Sequence, residues 1–207
     1  MAYDVAVTSP FARAAIVLSV LGGTLGVALD GWHVLTGTTA YAHPTALGIA
    51  TWTLPLFAAA GLGVGWLPVV LERRLGLVVT PASRSRALVA LGLFVLAYLA
   101  SGLLRGLACA IVLAALSVAI WLAGDRAPVR IALAHAVAAG LSGVLVEATL
   151  VHLHAFRHAD TRLFGVAPWL PLLYACGSLA LTCLARTVAP PQRAAWRMST
   201  TPSGSGG

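Results

Sequence analysis

Apolar residues in this chain come in long unbroken runs, and the charged ones collect in short segments between them. The runs cover about residues 12–29, 46–71, 87–123, 131–153 and 166–186. A bilayer crossing takes roughly 20 apolar residues, so each run is long enough to be a span. The run 87–123 is too long for one, since 37 residues of helix reach about 55 Å. Arg105, between Gly102 and Gly106, therefore marks a tight turn that divides it in two. The stretch 113–126 is apolar on every side until Asp125 and Arg126, as expected where a span meets water. The pattern predicts an all-α, integral membrane bundle of six helices. It forms one domain, residues 1–189, followed by a polar Ser/Thr/Pro/Gly tail, 190–207, expected to be disordered.

Within that frame the second run stands out. Pro55 and Pro68 interrupt it, and Gly61, Gly63 and Gly65 lie between them. An internal proline removes a backbone hydrogen bond and crowds the preceding turn. In lipid the freed carbonyls need a neighbour or a cavity. A kinked helix that lines a cavity is expected here, with kinking for packing alone as the alternative. In the first run, the spacing of Gly22 and Gly26 permits close approach of a second helix.

Composition agrees with the pattern: 59% of residues are hydrophobic and the mean hydropathy is +0.92. No soluble domain of this composition covers its surface with polar groups. The net charge of +7 comes from arginine without lysine. Those arginines are scattered singly or in pairs, with no basic stripe, so nucleic acid is not the expected partner. Sorted by side, ten of them fall in the terminal segments with the second and fourth loops, and three in the other loops. The bias toward cytoplasmic arginine then places both termini in the cytoplasm. The first apolar stretch shows no cleavage site and is expected to remain as a span. Cys109, Cys176 and Cys183 all lie in apolar runs and read as small core residues.

Candidate chemistry is sparse. Glu147 lies in the outer half of the fifth span, where an ionised carboxylate costs about 3 kcal/mol. It should face the bundle interior: lining a cavity, meeting a lipid headgroup, bonding another helix, or gating a small transporter or channel. With no other acid deep in a span, a proton relay has nothing to connect to. His152, His154 and His158 cluster near the outer end of that span with Asp160. His154 and His158 have the i, i+4 spacing that lets one helical face hold a metal, but a metal enzyme would need a third ligand and a base, and interfacial histidines are the ordinary case. His33 and His135 stand alone near span ends and read as packing residues. No familiar nucleophile or phosphate-binding motif occurs, and no cofactor or metal is expected.

Three sets of residues carry a resemblance: Leu113 to Ser117 followed by Trp121, Asp125 and Arg126; Trp169-Leu170-Pro171 with Gly177 and Arg186; and, more loosely, Trp52, Pro55 and Pro68. In these the chain resembles the insulin-induced gene (Insig) family, best from Leu103 to Arg186. The resemblance implies a six-helix bundle with cytoplasmic termini and a non-enzymatic, regulatory role. Members of that family bind an oxysterol within the membrane and hold sterol-sensing partners in the endoplasmic reticulum. It further implies a partner-binding role for Asp125 beside Arg126, and a lipid or partner surface at Trp121. The chain departs from the family at Ala108, where a glutamine contributes to oxysterol recognition. It departs again at Glu147-Ala148-Thr149, where the family has Tyr-Asn-Gly.

The expectation is a sterol-sensor-like regulatory protein that holds a neutral amphiphilic lipid, of diacylglycerol, sterol or isoprenoid class, among its helices. Trp52, Pro55, Gly61, Gly65, Trp121 and Glu147 are the expected lining, and Asp125 and Arg126 the partner face. A membrane-protein partner and a homo-oligomer are further candidates. The location is the plasma membrane for a bacterial chain and the endoplasmic reticulum for a eukaryotic one.

Overall fold

A computed structural model describes residues 10–162 and 164–189. The polar tail expected at 190–207 lies outside the described residues, as does most of the N-terminal lead-in. Six helices are each long and apolar enough to cross a membrane: α1 (Pro10–Leu35), α2 (Thr53–Arg74), α3 (Arg84–Leu103), α4 (Gly106–Ala123), α5 (Val129–His152) and α6 (Leu170–Val188). Two short strands, β1 (Thr39–Tyr41) and β2 (Phe156–His158), pair antiparallel with Thr39 opposite His158 and Tyr41 opposite Phe156.

The six-helix expectation holds, and α6 is its axis. It packs against all five other helices. Of its membrane-length window 61% is buried, against 17–28% for the others. Those others turn Leu and Val outward, as a lipid solvent requires. Trp169, at the head of α6, is completely buried.

The turn at Arg105 is found where expected. Leu104 and Arg105 are extended, and Gly106 takes φ +55°, a conformation glycine adopts freely. The Arg105 guanidinium folds back to donate to the Gly102 and Leu104 carbonyls, each at 3.0 Å.

Two boundaries differ from the sequence expectation. The first helix does not stop before Asp30 but runs on to Leu35, because tertiary partners satisfy Asp30 and His33 inside the bundle. The second begins at Thr53, after a single 3-10 turn at Ala46–Gly48. Pro55 therefore sits in its first turn, where no helical hydrogen bond is lost. The irregularity lies further along, in a π-helical turn at Gly61–Trp66 just before Pro68. A matching π turn at Gly22–Gly26 widens α1. The two widened segments cross backbone to backbone. A Cβ on Gly22 would run into the Phe57 carbonyl oxygen, and one on Gly61 into that of Leu18.

Candidate functional site

Between α1, α2, α5 and α6 lies a partly open cavity of about 470 Å³. Its floor and walls are Leu21, Leu25, Leu56, Val146, Leu173 and Leu181, with Phe57 and Phe94 adding aromatic surface. Residues of both α2 and α5 line it, and the cavity is partly open. The size is that of pockets that hold drug-sized or lipid-sized ligands.

One end of the cavity is polar. There Asp30, Tyr41, Glu147 and His158 join the lining. Glu147 accepts two hydrogen bonds, from the Tyr174 hydroxyl at 2.7 Å and from His158 Nε2 at 2.7 Å. The Tyr174 ring lies directly on Gly143, one turn before Glu147, where a Cβ would collide with it. Asp30 accepts from the Tyr41 hydroxyl at 2.5 Å. Burial, with the Asp30 carboxylate beside it, pushes the Tyr41 phenol well above its ordinary value and keeps it a donor. His33 bonds Ser101 Oγ at 3.0 Å and stacks on Tyr98.

The β1–β2 pair roofs this end. Phe156, His158 and Thr39 are buried on its inner face, while Arg157 points outward. The roof is tied down at its edges. Thr38 Oγ1 donates to the Gly102 carbonyl at 3.1 Å, and the Asp160 carboxylate accepts from the Gly106 amide at 3.1 Å. Tyr41 touches Trp52 edge-on, with ring centres 5.4 Å apart.

At the opposite end, where Pro10 and Val188 lie, four helix ends meet in a buried ion cluster. Arg186 donates to Glu72 from Nε at 2.9 Å and from Nη2 at 2.5 Å. Its Nη1 donates to Asp125. His135 Nε2 lies 3.3 Å from Glu72. The Glu72, Asp125 and Arg186 side chains are each 4–6% exposed, so the cluster is buried.

Of the six expected lining residues, Trp52, Gly61 and Glu147 line the cavity. Pro55 is exposed on the outer side of α2, Gly65 is filled against Leu181 and Leu18, and Trp121 lies at the other end, donating to the Ala127 carbonyl at 2.8 Å. These three are not part of the lining. Asp125 turns into the bundle toward Arg186, while Arg126 is exposed with φ +52°. His154 and His158 do not share a helical face, because α5 ends at His152 and His158 belongs to β2. Among the described residues no group of three or more His, Cys, Asp or Glu is placed to hold a metal.

Sequence reasoning missed Asp30, Tyr41, His158 and Tyr174 as companions of Glu147. The expectation that no other acid lies deep in a span is corrected by Asp30. It is only 5% exposed within α1 and lines the same cavity end. An available signal was the unbroken helical run through Asp30-Gly-Trp-His33, whose first terminator is Gly37 at φ +68°.

No family model matches the chain, and no curated protein does. Among solved structures it is similar to a mycobacterial Insig homologue from Mycobacterium vanbaalenii, with 26% identity and a TM-score of 0.71. The match covers 86% of this chain and 95% of that one. A cross-linked trimer of a variant of the same homologue gives 28% identity, a TM-score of 0.69 and the same coverage.

Proposed function

We propose that this Insig-like, multi-pass membrane protein holds a neutral amphiphilic lipid as a non-enzymatic regulator, in the plasma membrane by likeness to the mycobacterial homologue. The observation that carries the reading is the make-up of the cavity: apolar along its walls, polar at one roofed end, and partly open. A tailed molecule of diacylglycerol, sterol or isoprenoid class fits that division, its tails against Leu25, Phe57 and Val146 and its head beneath the strands. No Lys or Arg is among the described lining residues, which disfavours a phosphate head.

Occupancy acts by biasing one arrangement of the bundle, which requires different affinity for its two arrangements. The readout runs through the ion cluster at the far end, since α2, α5 and α6 belong to both. A membrane-protein partner would meet Arg126 at once and Asp125 only after the cluster loosens. Both termini face the cytoplasm in this reading. The bundle assembles as a homo-oligomer, a trimer by likeness to the cross-linked mycobacterial homologue. A transporter gated by Glu147 fits less well, because the cavity lining includes none of Glu72, Asp125 and Arg186 and stops short of the second face.

Mass spectrometry of lipid retained through detergent purification tests the reading. A single neutral amphiphile enriched over bulk phospholipid is expected. Recovery of bulk phospholipid alone overturns it.

A further inference from the structure

The loop between α2 and α3 is packed on one side and bare on the other. Where α2 ends, the Leu75, Gly76 and Leu77 amides donate to the Leu71, Arg73 and Glu72 carbonyls, with Gly76 at φ +69°. This is a closed helix cap that leaves few backbone groups unsatisfied. Val79 is then buried, and Thr187 on α6 donates from Oγ1 to the Ala82 carbonyl. The inner side of the turn lines, with Glu72 and Arg186, a small cleft of about 160 Å³ beside the ion cluster. Backbone and underlying residues thus fix the loop, yet Leu75 is 72% exposed and Val78 81%, with Leu77 exposed between them.

The level of the loop decides what meets those side chains. With 22 and 20 residues, α2 and α3 each match a hydrocarbon layer of roughly 30 Å, so Arg74 and Arg84 mark its edge. Residues 75–83 run along that edge, where an exposed apolar patch suits the boundary between headgroups and acyl chains. The charges beside it name the lipid. Arg74 and Arg84 are exposed at the two ends of the loop, and among the described residues neither makes a hydrogen bond or ion pair. Their neighbours are engaged: Arg73 lies on the Phe11 ring and donates to the Ala189 carbonyl, and Arg86 donates to the Leu122 and Ala123 carbonyls. The described acids at this end, Glu72 and Asp125, are both bonded to Arg186 and offer Arg74 and Arg84 no partner. A free guanidinium at the membrane surface pairs well with phosphate oxygens. A choline headgroup brings its own cation and competes for the same phosphate.

We infer that residues 74–84 form an interfacial anchor for anionic phospholipid. Leu75, Leu77 and Val78 enter the upper acyl chains, and Arg74 and Arg84 take the headgroup phosphates. The anchor lies outside the cavity, whose lining includes none of these residues, and neither reading depends on the other.

Two measurements on the full-length chain test it. The first places a bimane fluorophore on Val78→Cys in nanodiscs, the three native cysteines being buried. Lipid carrying a spin label high on its acyl chain is expected to quench the fluorophore, and aqueous iodide is not. Quenching by iodide alone puts the loop in water and overturns the anchor. Quenching by neither puts it against a second copy or another protein and also overturns it. The second measurement is native mass spectrometry of the chain in micelles holding equal phosphatidylglycerol and phosphatidylcholine. The wild-type chain is expected to retain phosphatidylglycerol preferentially. Arg74→Gln and Arg84→Gln should each lower that preference roughly fivefold, and added salt should weaken it. Arg130→Gln removes an exposed arginine at the same end but outside the loop, and should leave the preference unchanged. Absence of a preference in the wild-type chain, its survival in the double variant, or an equal loss in Arg130→Gln overturns the anchor and leaves the cavity reading untouched.

Discussion

Arg186 and Glu72 are joined by two hydrogen bonds across 114 residues of chain, and both side chains are 4% exposed. This ties the end of α6 to the end of α2, with Asp125 bonded to Arg186 and His135 beside Glu72. Removing one partner leaves charge stranded in a place that cannot solvate it, at a cost of about 3–5 kcal/mol. Arg186→Met should be the more damaging change, since it strands two carboxylates, Glu72 and Asp125. Glu72→Gln keeps an acceptor for Arg186 and should cost less. Thermal unfolding in detergent, followed by size-exclusion chromatography, checks the order. Equal melting temperatures for Arg186→Met and the wild-type chain would show that the cluster contributes nothing to stability.

The crossing of α1 and α2 leads to a second prediction. Because the Leu18 carbonyl lies where a Gly61 Cβ would go, Gly61→Val cannot be absorbed by a rotamer change. The backbones must separate, at a cost well above the roughly 1–3 kcal/mol of ordinary overpacking. Gly63→Val, a position with open space around it, serves as the control. The first variant should be lost from the monodisperse fraction and the second recovered.

Glu147 gives a third. Glu147→Ala removes the acceptor for both Tyr174 and His158, leaving two buried donors unpaired at roughly 1–3 kcal/mol each. The melting temperature should fall, and lipid retention should fall with it, because His158 loses the bond that orients it. Liposomes containing the wild-type chain should show no ion or proton flux above empty liposomes. Flux that disappears in Glu147→Gln would instead support the gated transporter.

Much of this was legible beforehand, and the part that was not has a common cause. Span number and the Arg105 turn are set by local hydropathy and by the length of a helix in lipid, so the sequence states them directly. Glu147 announced itself because a lone carboxylate in a span is costly wherever it points. Asp30 did not, since an acid followed by Gly-Trp-His resembles a span end until Tyr41 is known to satisfy it. Gly65 shares α2 with true lining residues, and only the rotation of that helix separates cavity from packing, whereas Trp121 sits on α4, which lends the cavity no described residue. His158 could not be paired with Glu147 by helical spacing because the chain leaves the helix between them and returns in a strand.

Sidedness is a fourth prediction, drawn from the arginine distribution. The described termini lie together: Arg73 reaches the Phe11 ring, 4.3 Å to its centre, and also donates to the Ala189 carbonyl. A fluorescent protein fused to the C-terminus should fluoresce in bacterial cells, and an alkaline phosphatase fusion there should be inactive. The opposite pair of results would place the roofed end of the cavity on the cytoplasmic face.

Asp125 and Arg126 make the last prediction, because adjacent residues there have opposite surroundings. The Asp125 carboxylate is held by Arg186 and also accepts from the Ala127 amide at 3.1 Å, so it orders the turn after α4. Arg126 is exposed and its side chain donates, among the described residues, to the Leu122 carbonyl at 3.1 Å, an arrangement worth little to stability. Asp125→Ala should therefore lower the melting temperature by several degrees, whereas Arg126→Ala should not move it. If Asp125 instead served mainly as an exposed docking charge, its removal would leave stability untouched. Any loss of partner association in Asp125→Ala then has to be read against that melting temperature, with Arg126→Ala as the variant that reports on the surface alone. A stable Asp125→Ala chain that fails to bind would return the aspartate to the partner face; an unstable one places its effect inside the bundle.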